Sequence, residues 1–98
     1  VDIEKLHEDF ERLMPGFKIN GMLLESGSPL KVAILGRIGG TAAYDCKIDE
    51  YFVLPDTVEE LVRNVKLRLI ELIGGYYDFY MYAAKQLDKL RERLGKEI

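Results

Sequence analysis

The side chains able to do chemistry are few and scattered. His7, the one histidine, lies among Glu4, Glu8 and Glu11 near the N-terminus. A carboxylate there could orient or charge the imidazole. A metal site would need a second His or Cys at ligand spacing, which is missing. Cys46 alternates with Tyr44 and Ile48 and so reads as a small buried hydrophobe. As a nucleophile it would need His7 as its base. The stretch Leu35–Thr41, LGRIGGT, has the glycines of a phosphate loop. Such a loop requires a helix N-terminus after it, where backbone amides converge on the anion. A strand pattern follows instead, so Gly39-Gly40 reads as a hairpin turn. With no acid–base pair, nucleophile or metal cluster, the expectation is a protein that is not an enzyme and takes no cofactor and no metal.

Cations form the other candidate set. Lys85, Lys89, Arg93 and Lys96 line one side of the C-terminal segment, and Arg63, Lys66 and Arg68 precede them. A nucleic-acid-binding module would use Arg63, Lys66, Arg68, Lys85, Lys89 and Arg93 on phosphates. The simpler reading is electrostatic: cations favour a helix C-terminus, and Asp88, Glu92 and Glu97 interleave as ion-pair partners. A net charge of -3 and a pI near 5.2 also argue against a nucleic-acid coat or a polybasic membrane binder.

The 98 residues suffice for one domain and are too few for two useful cores. With 48% apolar and 32% charged residues the composition is globular. A single cysteine excludes an internal disulfide. The N-terminus is acidic and amphipathic, unlike a signal peptide. An intracellular, cytoplasmic setting is expected, the host cytoplasm if the source is viral. Asn20, Asn64 and Gln86 are the only side-chain amides amid abundant mixed charge, a pattern of proteins that work hot. It points to a thermophilic archaeon or its virus.

These residues need a scaffold, and the pattern supplies an α+β one in the order α-β-β-β-α. Ile3, Leu6, Phe10, Leu13 and Met14 share a helical face over Asp2–Met14, which Pro15-Gly16 ends. Strands are expected over Phe17–Glu25, Leu30–Ile38 and Thr41–Leu54, forming a three-stranded antiparallel meander. The third would turn Tyr44, Cys46, Ile48, Phe52 and Leu54 inward and Asp45, Lys47 and Asp49 outward. Met22, Leu24, Ala33, Leu35, Tyr51 and Val53 are expected to make the outer face partly apolar. Thr57 and Glu60 have capping-box spacing at the start of a long last helix that runs to about Leu94.

That helix contains GGYYDFYMYAAK, Gly74–Lys85. At about 100° per residue, Val58, Leu61, Val62, Val65, Leu69, Leu72 and Ile73 share a face. Tyr76, Phe79, Tyr80, Ala83, Leu87, Leu90 and Leu94 continue it past the glycines in phase. One continuous helix of about 55 Å is therefore expected, although two interior glycines cost roughly 2 kcal/mol. A helix–turn–helix broken at Gly74-Gly75 is the alternative. Leu67, Ile70, Gly74, Tyr77 and Met81 form a second stripe, spaced 3, 4, 3 and 4. One small sheet cannot cover both, and residues 76–96 are expected to project beyond it. A homodimer is expected, with this second stripe near the contact. Arg68, Glu71 and Asp78 exclude a membrane span over Leu67–Ala84. A small self-associating interaction or structural protein, open to a further protein partner, is the leading functional expectation. Nucleic-acid binding is the alternative.

The order of elements resembles double-stranded-RNA-binding domains and the small Alu-domain proteins of the signal recognition particle. The resemblance lies in that order, across most of the chain. The RNA-binding family places a basic cluster at the start of its last helix, where this chain has Asp56, Glu59 and Glu60.

Overall fold

The computed structural model of the chain describes residues 1–41 and 44–98, with residues 40, 41, 44 and 45 described by backbone alone. The order is α1 (Ile3–Leu13), β1 (Phe17–Glu25), β2 (Lys31–Thr41), β3 (Tyr44–Val53) and α2 (Val58–Glu97). The strands form an antiparallel meander in the order β1-β2-β3. The fold is α+β.

Local chemistry explains where the helices start and stop. Asp2 caps α1 by accepting from the backbone N–H groups of Glu4 and Lys5, at 3.0 and 3.3 Å. These are amides that the first turn leaves unpaired. Gly16, at φ 88°, turns the chain into β1 in a conformation that only glycine adopts cheaply. Thr57 caps α2 through its hydroxyl, which accepts from Glu60 N–H at 3.2 Å. The α2 helix runs unbroken through Gly74-Gly75 for 40 residues, about 60 Å at 1.5 Å per residue.

One sheet face packs on both helices. Phe10, Met14, Phe17, Val32, Ile34, Cys46, Ile48, Leu61, Val62, Val65 and Leu69 are the buried core. Phe10 and Phe17 meet edge to face, with ring centroids 5.7 Å apart. Gly36 gives the Phe17 ring its room: a Cβ there would lie 2.5 Å from two ring carbons and 2.6 Å from the Lys18 carbonyl oxygen.

The sheet departs from expectation in two places. Gly39-Gly40 is not the hairpin turn. Both glycines lie within β2, the register slips between Gly39 and Thr41, and Thr41 pairs with Tyr44. Residues 42 and 43, between these two, lie outside the described residues. The glycine pair coincides with a bulge, a second use of glycine in strands. Similarly, β1 slips between Ile19 and Gly21. The extra residue, Asn20, reverses which side chains face in. Met22 and Leu24 consequently pack against the core, and Leu23, not they, joins the outer face.

Candidate interaction surface

The molecule has a head and a rod. The head holds α1, the sheet and the first turns of α2. Beyond it the rod is bare: from Ile73 onward every large hydrophobic side chain of α2 is at least 42% exposed. These are Ile73, Tyr76, Tyr77, Phe79, Tyr80, Met81, Tyr82, Leu87, Leu90 and Leu94, followed by Ile98 at the terminus. Ala83 is half-buried in the same stretch. Around Tyr76–Ala84 apolar side chains point in nearly every direction, with Asp78 the one charge. A helix apolar all round belongs inside a larger core.

The second stripe is bare as well. Leu67, Ile70, Tyr77 and Met81 are exposed, and a Cβ added at Gly74 would meet nothing within 4 Å. An apolar groove of about 340 Å³ opens where the rod leaves the head, lined by Met14, Pro15, Ile38, Lys66, Leu69, Ile70 and Ile73. A smaller apolar patch lies on the outer sheet face. There the register aligns Leu23, Ala33 and Tyr51 in one row, with Leu35 and Val53 beside it.

The candidate cations do not converge. Arg68 is held between two carboxylates: its Nε donates to both oxygens of Glu50 at 2.8 and 2.9 Å, and Nη1 donates to Glu71 at 3.0 Å. Hydrogen bonds to Glu50 first and Glu71 second push its pKa further up. Arg68 thus ties α2 to β3. Arg63 and Lys66 are exposed near the head, and Lys85 and Lys89 are exposed on the distal rod. About 28 Å of helix separates Lys66 from Lys85. Arg93 Nε lies 3.8 Å from Glu97. Sequence reasoning missed Glu50. It sits on the inward phase of β3 between Ile48 and Phe52, and a lone carboxylate at an inward position signals a cationic partner across the core edge. A row of Lys18, Arg37 and Lys47 across the outer face was also missed, because only the register reveals it.

His7 Nε2 lies 3.1 Å from Glu11 Oε1, in a geometry that makes no hydrogen bond. Cys46 is buried, and desolvation pushes its thiol pKa up, the opposite of nucleophile activation. Among the described residues no cluster of His, Cys, Asp or Glu could hold a metal ion, and no helix is long and apolar enough to cross a membrane. No known protein family, curated protein or solved structure shows significant similarity to the chain.

Proposed function

We propose that this chain is a small non-enzymatic structural or interaction protein that works as a self-assembled homodimer. Its rod is covered by a second copy, and its outer sheet face is left for a further protein partner. The observation that carries this reading is excess surface. The chain exposes 7467 Å², where a compact 11.3 kDa monomer exposes about 5,700 Å². The surplus of about 1,700 Å² exceeds the roughly 800 Å² that each partner gives to a standard interface. Most of the exposed large hydrophobic side chains lie on the rod. The shape agrees: the radius of gyration is 18.9 Å, against about 13 Å for a compact domain of this length. A second copy is the simplest occupant, because isologous dimers are the commonest assemblies. Light scattering on the purified protein at micromolar concentration tests it. Twice the 11.3 kDa chain mass is expected, and a clean monomer mass would overturn the reading.

The second reading is a nucleic-acid-binding module. The row of Lys18, Arg37 and Lys47, three cations side by side across the outer sheet face, favours it as a basic stripe of the kind that meets phosphates. Phosphate contacts release counterions and weaken steeply with salt. Retention on duplex RNA or DNA at low salt, lost by about 200 mM salt, would support it. No retention at low salt would dismiss it.

A further inference from the structure

The face of α2 that continues the core carries a repeat tighter than helical period alone demands. Leu69, Ile73, Tyr76, Tyr80, Ala83, Leu87, Leu90 and Leu94 follow at spacings of 4, 3, 4, 3, 4, 3 and 4. That is a heptad seam, with Ile73, Tyr80, Leu87 and Leu94 at a and Leu69, Tyr76, Ala83 and Leu90 at d. The positions farthest from it, at f, are Asp78, Lys85 and Glu92, all charged. A seam of this kind is built to meet another helix.

Three features give the direction. First, the head covers this same face at its N-terminal end, where Leu61, Val62, Val65 and Leu69 are buried. Two parallel rods joined along the seam would drive their heads into each other, whereas antiparallel rods place the heads at opposite ends. Second, antiparallel pairing matches unlike layers. Ile73 meets Leu90 of the second copy, Tyr76 meets Leu87, and the large Tyr80 meets the small Ala83. Parallel pairing would stack Tyr76, Tyr80 and Ala83 each on its own copy. Third, the same register brings Leu94 of the second copy level with Leu69, where the groove of Ile38, Lys66, Ile70 and Ile73 opens. The next layer sets Lys66 against Glu97 of the second copy, a pair of opposite charge.

We propose that α2 pairs with α2 of a second copy as an antiparallel coiled coil with Tyr80 opposite Ala83, each helix end seated in the groove beside the other's head. The inference rests on the self-association proposed above and adds its direction and register. Ile70 and Tyr77 flank this seam at e positions. Leu67, Gly74 and Met81 lie at b, outside it.

Two variants that each add one cysteine beside the buried Cys46 test the register, Tyr76→Cys and Leu87→Cys, each oxidised alone and as an equimolar mixture refolded together. The unaltered protein, with Cys46 buried, is the blank, and each sample's mass is measured first. An antiparallel seam gives a disulfide-linked dimer from the mixture, several-fold above either variant alone. Linkage of each variant to itself would mean a parallel pair and overturn the register. Dimer mass without linkage in any sample would overturn the seam and leave self-association through another surface. A monomer mass for the unaltered protein would overturn both. A charge swap checks the same register without touching the apolar layers. Lys66→Glu and Glu97→Lys should each weaken association about fivefold, and the double variant should restore it. Failure of the double variant to recover would overturn the register.

Discussion

Val58–Leu72 and Ile73–Glu97 belong to one helix and continue one apolar stripe, yet the first part is core and the second is surface. Leu61 and Val65 are fully buried, while Leu87, on the same face, is 65% exposed. Helix propensity does not explain the difference in burial, although all three glycines of α2, Gly74, Gly75 and Gly95, fall in the second part. The difference is what stands opposite: α1 and the sheet, with β3 nearest, against the first, water against the second. Periodicity thus marks which face is apolar without saying which molecule covers it. Excess area, a heptad seam and a groove where rod meets head make a second copy the occupant proposed for the distal part.

The sharpest way to break this comparison is to place charge in the distal stripe. Leu87→Asp combined with Leu90→Asp would bury carboxylates in the proposed seam, at a cost of about 4 kcal/mol or more. Association should fall at least about a thousandfold. Both sites are exposed in the single chain, so the head should keep its circular dichroism and its urea midpoint at high dilution. Loss of the head's fold would show that the two regions are one cooperative core.

Truncations extend the contrast. Leu61→Ala should destabilise the head by about 3 kcal/mol at any protein concentration, because it opens a cavity among buried neighbours. Leu90→Ala should change stability by under about 0.5 kcal/mol when the protein is dilute, as exposed sites do. At micromolar concentration its cost should grow as the dimer forms. Urea titrations at two protein concentrations separate the cases. Equal costs for Leu90→Ala at both concentrations would remove the second copy from the account. Gly36→Ala belongs with the head and should cost about 2 kcal/mol through overpacking. The Lys18 carbonyl that blocks the new methyl is backbone and cannot swing aside.

How much of this was legible in the sequence differs by region. The order of elements, the unbroken helix and the inward residues Cys46, Ile48 and Phe52 follow from periodicity and capping. The hairpin position did not, because Gly39-Gly40 suits a turn and a bulge equally well, and strand pairing chooses between them. The inversion of Met22 and Leu24 was hidden for a similar reason. Asn20 gives no local sign that it is the extra residue, and one bulge moves every later side chain to the other face. The Glu50–Arg68 pair lies 18 residues apart along the chain, beyond any helical or strand spacing. The exposed stripes of α2 were readable as apolar, since a repeat of 3 and 4 depends on the helix alone.

The smallest expected effect discriminates most finely between the two stripes of the rod. A Cβ at Gly74 or Gly75 would meet nothing within 4 Å in the single chain. Glycine in a helix interior costs about 1 kcal/mol relative to alanine. Gly74→Ala and Gly75→Ala should therefore each stabilise the helix by about that amount if the seam through Tyr76 and Tyr80 is the contact, because b and c positions lie away from it. Gly74 is also the midpoint of the stripe Leu67, Ile70, Tyr77 and Met81, where a missing side chain would let a neighbouring backbone approach. If that stripe carries the contact, Gly74→Ala should loosen association while Gly75→Ala still stabilises. Thermal melts and sedimentation of the two variants side by side decide it. Equal stabilisation places the second copy on the heptad seam, and opposite signs move it to the second stripe.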